Sequence, residues 1–537
     1  QEDVTSVGAT FAGGGSVGVG GAAGVYTVNN ATRAFIGNDP LITAVSSTAV
    51  VTAGGSVLVA ADDRMEIDII AGNLAVSGAG SLGGAAGVTV INKTTEAFIG
   101  SGATVDARAG QTTDAVRAST GNFTTSYVAN SGDSNEVSAP ESGGADADDE
   151  SLTMQRVATA DTILVRGVAV TATNSDDIET IGVSAGGSGG VDIQLSAAVD
   201  VTTSKTSAYV ADGAMINQNN GAAEAGQAVL VAAGNDYYRM GVAGAGSISG
   251  GGSATPGADI AVIRNDTEAY IGAGAAVDAL GDVQVLAGST IDILSISAAL
   301  LGSGGFAVAG AVSVIDVGNK THVYVDGQVT AGGNMLVTAV DNTEVDIIAG
   351  SLGLGLGVGG VGASVGVTVI DKDTQAYIGD TATVDVDGAP GGLAGVVSGA
   401  TFDSNTGSFP VETGFQGLAV QAQSSEDVFI VAAAGSGGAG VGVAGAVSVE
   451  IIDSDTRAYI GTGAQVNQNT PGAGNDQAVN VSAVNSVQIL AIDGSIGGSA
   501  GAGLAGGVDV GIVRNDTAAY IAAGATVNAN QDVNVNA

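Results

Sequence analysis

Short runs in which apolar and polar residues alternate recur along most of the chain. Glu66-Ile67-Asp68-Ile69-Ile70-Ala71-Gly72, Val88-Thr89-Val90-Ile91 and Ala103-Thr104-Val105-Asp106-Ala107 are typical. A period of two marks a β-strand with one buried face. No segment holds a helical apolar period between capping residues, and the many glycines and β-branched residues disfavour helix. The pattern predicts a strand such as Val57–Ala61, a polar turn, a second strand such as Glu66–Gly72 and a glycine-rich run. It then predicts a strand such as Val88–Ile91, a turn carrying Asn or Lys, and a short closing strand.

One phrase punctuates this pattern eight times: Thr, any residue, a small residue, an aromatic and a β-branched residue. The aromatics are Phe35, Phe98, Tyr209, Tyr270, Tyr324, Tyr377, Tyr459 and Tyr520. Three residues earlier stand Thr32, Thr95, Thr206, Thr267, Thr321, Thr374, Thr456 and Thr517. The spacing implies a unit of about 53 to 63 residues, with longer steps before Tyr209 and Tyr459 where extra chain enters. The expectation is a stacked ladder of threonines and aromatics at a turn-to-strand transition.

Self-similarity at a fixed period is the signature of a repeat architecture. The predicted fold is all-β, a single continuous β-solenoid over residues 1–537, read as a right-handed parallel β-helix. More than one coil of roughly 20–30 residues is expected per unit, stacking at about 4.8 Å per coil into a rod on the order of 100 Å long. The alternative is an array of antiparallel β-hairpins. Insertions are expected at residues 108–162 and 388–416, both at one corner of the unit. The first reads as a loop or small decoration. In Leu352-Gly353-Leu354-Gly355-Leu356-Gly357 every glycine falls on one strand face. A face without side chains suggests close packing against another sheet or backbone.

Composition narrows the function. The chain has 89 Gly, no Cys, no Trp and one His, which excludes disulfides, thiolate sites and multi-histidine metal centres. With 54 acidic and 14 basic residues its net charge is −40, which argues against nucleic acid and anionic membranes. Uncharged stretches such as residues 352–370 are long enough to span a bilayer. Their Gly/Ala content and period of two argue against it, so no membrane-spanning segment is expected. His322 reads as a surface substitution, and no acid–base cluster interrupts the repeat, so the chain is read as non-enzymatic with no certain cofactor. Calcium is the one ion entertained, because it prefers several oxygen ligands on a turn. Asp146, Asp148 and Asp149 in the first insertion, and Asp371 and Asp373 on an expected turn, are its candidate ligands. The sequons, Asn265-Asp266-Thr267 and Asn319-Lys320-Thr321 among them, are read as turn asparagines.

The stretch Asn265-Asp266-Thr267-Glu268-Ala269-Tyr270-Ile271-Gly272, followed by Gly274-Ala275-Ala276-Val277-Asp278-Ala279 and Asp282-Val283-Gln284-Val285, resembles the β-strand repeats of large bacterial surface proteins. The group is the filamentous, leukotoxin-type and haemagglutinin-like adhesins. The resemblance implies an extracellular or cell-surface location and a rod used in adhesion or biofilm matrix. The partners it implies are copies of the chain itself, end to end or lateral, or host and surface glycans. A polysaccharide-binding or polysaccharide-degrading β-helix is the alternative function.

Overall fold

Each repeat unit makes one turn of a parallel solenoid. The structure, a computed structural model, describes residues 2–38, 46–110, 113, 115–128, 155–397 and 410–537. Every full coil contributes one strand to each of three parallel sheets. Sheet A has nine strands, of which Val57–Ser77, Gly167–Ser188 and Met335–Gly355 are representative. Sheet B has eight: Val17–Ile36, Gly80–Ile99, Val191–Val210, Gly252–Ile271, Phe306–Val325, Gly359–Ile378, Val441–Ile460 and Ala502–Ile521. These define coils 1 to 8. Sheet C is narrow, with strands of two to four residues such as Ala276–Ala279 and Thr383–Val386. Among the described residues the antiparallel pairs are Val116–Val128 with Gln155–Val165, and Leu393–Val397 with Val411–Phe415. The hairpin array is therefore set aside, and antiparallel pairing belongs to the two insertions, each of which forms a hairpin. No described helix is long and apolar enough to cross a membrane.

The expectation of several short coils per unit is overturned. Strands of sheets A and B run 20 to 22 residues in most coils, and each pairs with its equivalent in the next unit along its length. Twenty residues at about 3.3 Å each span roughly 65 Å, whereas nine strands at about 4.8 Å stack to only about 40 Å. The body is a broad, flat solenoid, not the slender rod expected. Two predicted turns are strand interior instead: Asp62-Asp63-Arg64 lies within Val57–Ser77, and Asn92-Lys93-Thr94 within Gly80–Ile99. Their polar residues misled because half of them point inward and satisfy one another.

The interior is layered from the wide end, where sheet C closes the coil, to the thin end, where A turns directly into B. The first layer is apolar, built from Val59, Ile99, Val105, Val170, Val210 and their equivalents. The second is polar and contains the buried threonines of the repeated phrase. The third is an isoleucine layer including Ile67, Ile69, Ile91, Ile178 and Ile263. Beyond it small residues predominate, although Asn73, Gln194 and Leu301 are also buried there. A Cβ on Gly353 would lie 2.3 Å from the carbonyl oxygen of Val361 on the facing sheet, and one on Gly362 only 2.2 Å from that of Gly435. The glycine faces thus line the inside of the taper, and what packs against them is the chain's own opposite sheet. The alternating Leu352 and Leu354 point out and remain about two-fifths exposed.

Candidate functional site

The end of each sheet B strand carries the repeated phrase, and strand alternation sends its residues to opposite sides. In coil 4, Thr267 and Ala269 face the core and are fully buried, while Glu268 and Tyr270 face out. The phrase stands at a strand-to-turn transition, the reverse of the expectation. In-register parallel pairing places Tyr209 on Tyr270, Tyr270 on Tyr324 and so on through the stack. All eight aromatics form one column from Phe35 to Tyr520, with centroids 4.7 to 5.2 Å apart and planes within 7° of parallel. Parallel rings in contact at roughly 3.5–4.0 Å with centroids this far apart must be slipped sideways, the favoured offset stack. Burial pushes the Tyr270, Tyr324 and Tyr377 phenols well above their ordinary value, and neighbouring tyrosines and carboxylates push them further. Tyr459 is raised to about 12, by burial first and then by Tyr520 and Asp380. Burial thus disfavours the charged form of these four phenols, while Phe35 and Phe98 carry no hydroxyl.

Beside it, the next outward columns of sheet B hold charges. Glu268 bridges Lys205 at 3.5 Å and Lys320 at 3.1 Å, on the coils either side. Arg33 meets Glu96 at 2.9 Å, and Arg457 meets Asp455 at 2.8 Å and Asp516 at 2.9 Å. Burial alone would raise Glu268, but the two lysines hold it below the usual carboxylate range. His322 faces outward in the same column, with Nε2 at 3.0 Å from Asp373. Asp373 also accepts a 2.6 Å bond from Gln375, and these contacts outweigh burial and lower its pKa.

Of the proposed calcium ligands, Asp371 and Asp373 lie within the strand Gly359–Ile378 and not on a turn. Asp373 is engaged by His322 and Gln375, and Asp371 stands two residues away on the same outward face. Asp146, Asp148 and Asp149 lie outside the described residues. Among the described residues no three carboxylate or imidazole groups converge as a metal site. The sequon residues Asn265 and Asn319 also occupy strand interior, buried in the polar layer, not turns.

Two features escaped the sequence reading. The first is the ionic content of the polar layer. The Lys93 ammonium is buried between Asp176 at 2.5 Å and Asp63 at 3.2 Å. Four coils on, in the same column, Lys372 is buried between Asp341 at 2.9 Å and Glu426 at 3.1 Å. Arg239, deeper in the taper, is fully buried against Asp259. The second is an outward acidic column on sheet A, where Asp292, Glu344 and Asp427 follow one another in register. Burial raises the Glu344 pKa, and repulsion from Asp292, Asp346 and Asp427 raises it further. Next to this column the first insertion's hairpin docks through Arg156, which binds Asp236 at 2.7 and 2.8 Å and lies 5.0 Å over the Tyr238 ring. Aligning the units residue by residue, beyond the aromatic phrase, is the signal that brings out both columns.

Comparison of the chain with protein-family models, with curated proteins and with solved structures gave no match to any of them.

Proposed function

We propose that the chain is a non-catalytic structural element of an extracellular filament or matrix, or the shaft of a bacterial surface adhesin. The observation that carries this reading is the uninterrupted aromatic column: eight units stack in one register with nearly constant spacing. Such a device stiffens a body along its axis and repeats without limit. Lateral association finds support at the thin end, where outward apolar rows are exposed. Leu300 is 60% and Leu356 75% exposed, and Leu82 and Val308 stand on the opposite face. Exposed apolar rows of this kind mark contact surfaces. The glycan-stacking alternative is less well supported, because each interior ring of the column has both faces covered by its neighbours. Only ring edges and hydroxyls are left to meet a sugar.

Negative-stain electron microscopy with sedimentation analysis of the purified chain tests the reading. Fibres or sheets with a repeat near 4.8 Å along the axis support the filament form. Discrete monomeric particles support the shaft form. Turnover of polysaccharide with neither would defeat both.

A further inference from the structure

Among the described residues, the wall of turns joining sheet B to sheet C has one gap. In coils 2 to 4 and 6 to 8 four residues connect the two strands, as in residues 272–275 and 379–382. Coil 5 uses two, Asp326 and Gly327, between Val325 and Gln328. The register on both sides is kept: Val325 pairs with Ile271 and Ile378, and Gln328 with Ala276 and Thr383. The missing residues leave a notch of about 570 Å³ between the turns of coils 4 and 6. Its wall includes Tyr377 and Tyr459 of the aromatic column, and its floor Gln328 and Thr383. Thr381 reaches its rim with φ at 62°, a left-handed conformation that glycine adopts at the equivalent Gly274 and Gly463.

The notch has a definite charge. Asp326 and Asp380 line it, and no basic residue does. Asp380 accepts a 2.6 Å bond from the Thr462 amide. The Asp326 carboxylate lies over Gly379, where a Cβ would come within 1.6 Å of its Oδ1, and has no hydrogen-bond or ion-pair partner among the described residues. Burial raises the Asp326 pKa, and repulsion from Asp212 and Asp380 adds to it.

We infer that this notch binds an alkylammonium group. The cavity is of ligand size. Two carboxylates supply the counter-charge, and Gln328, Thr383 and the hydroxyls of Tyr377 and Tyr459, whose ring faces are covered within the column, offer acceptors for the three N–H donors of an ammonium. A compact metal ion suits it less, since no three carboxylates converge there. The group is supplied either by a free amine or by a lysine side chain of a partner, and the chemistry recognised is the same.

The test is titration of the full chain with cadaverine and, separately, with Nα-acetyl-lysine methylamide, followed by calorimetry and by the tyrosine ring signals in NMR. Pentane-1,5-diol serves as the uncharged control. The expected result is saturable 1:1 binding of at least one amine, with the tighter of the two identifying the source, and none of the diol. The D326N/D380N double variant should weaken binding at least tenfold. So should insertion of Gly-Ala after Asp326, which restores the four-residue turn, keeps both carboxylates and closes the cavity. Circular dichroism checks that each variant is folded. Binding of neither amine overturns the inference. So does binding that survives the insertion, or that calcium abolishes at matched ionic strength as effectively as excess amine does, since either marks a diffuse ion atmosphere.

Discussion

Replacing Lys372 with methionine removes one charge from a fully enclosed ionic group. Its ammonium touches Asp341 at 2.9 Å, Glu426 at 3.1 Å, and the carbonyl oxygens of Asp341 at 3.2 Å and Ser425 at 3.0 Å. All three side chains are at most 1% exposed. Methionine fills similar volume, so the packing loss is small and the electrostatic loss dominates. Two carboxylates are then left buried without a cation. Asp341 retains bonds from Asn319 and Thr321, and Glu426 from Ser424 and Ser454. Breaking a buried pair in this way costs about 3–5 kcal/mol. The neutral triple variant D341N/K372M/E426Q removes the stranded charges along with the cation, and replacing a whole buried ionic group is often close to neutral. It should therefore recover at least half of the loss. Urea unfolding followed by circular dichroism gives the global effect. Native-state hydrogen exchange should localise it to the coils carrying these residues, because a solenoid couples each coil mainly to its neighbours. A loss below about 1 kcal/mol for the single variant, or a triple variant as unstable as the single, would refute the electrostatic account.

Four further outcomes follow from the same geometry. Tyr324→Ala cuts the aromatic column at two contacts and should cost about 2–4 kcal/mol, whereas Tyr324→Phe keeps the stack and should cost less than about 1 kcal/mol in the same urea assay. Gly353→Val drives a side chain into the Val361 carbonyl of the facing sheet and should prevent the thin end from closing, seen as loss of exchange protection there with the wide end intact. The folded-state pKa of Asp373 lies below its unfolded value, so the stability its charge confers is present above about pH 4 and is lost as pH falls through the lowered value; the melting-temperature gap between wild type and D373N should narrow from pH 6 to pH 3. Calcium in the millimolar range should raise the melting temperature relative to chelator at matched ionic strength by relieving repulsion along Asp292, Glu344 and Asp427, and equal temperatures in the two conditions would show that these acids serve solubility alone.

The sequence alone determined the class of architecture. A phrase repeated eight times, strand periodicity and the absence of helical segments specify a stack of β-coils, and equivalence of the aromatics specifies that they meet. Both follow from local rules: side chains alternate along a strand, and identical units pair most simply in register. Both insertion hairpins lie between a strand of sheet C and one of sheet A. Coil length was not legible in the sequence. Asp63, Lys93 and Asn319 look like turn residues because polar side chains ordinarily seek water, and only the facing sheet shows that they meet one another across a closed interior. Once those false turns are removed, short strands fuse into strands of about twenty residues, and the slender rod becomes a broad wedge. The direction of the glycine faces was likewise decided by tertiary structure. Alternation puts Gly353 and Leu354 on opposite sides, but which side is inside depends on how near the opposite sheet comes. At Gly353 that distance leaves no room for a Cβ, so glycine goes in and leucine goes out, whereas one coil earlier Leu301 fits inside in the same column.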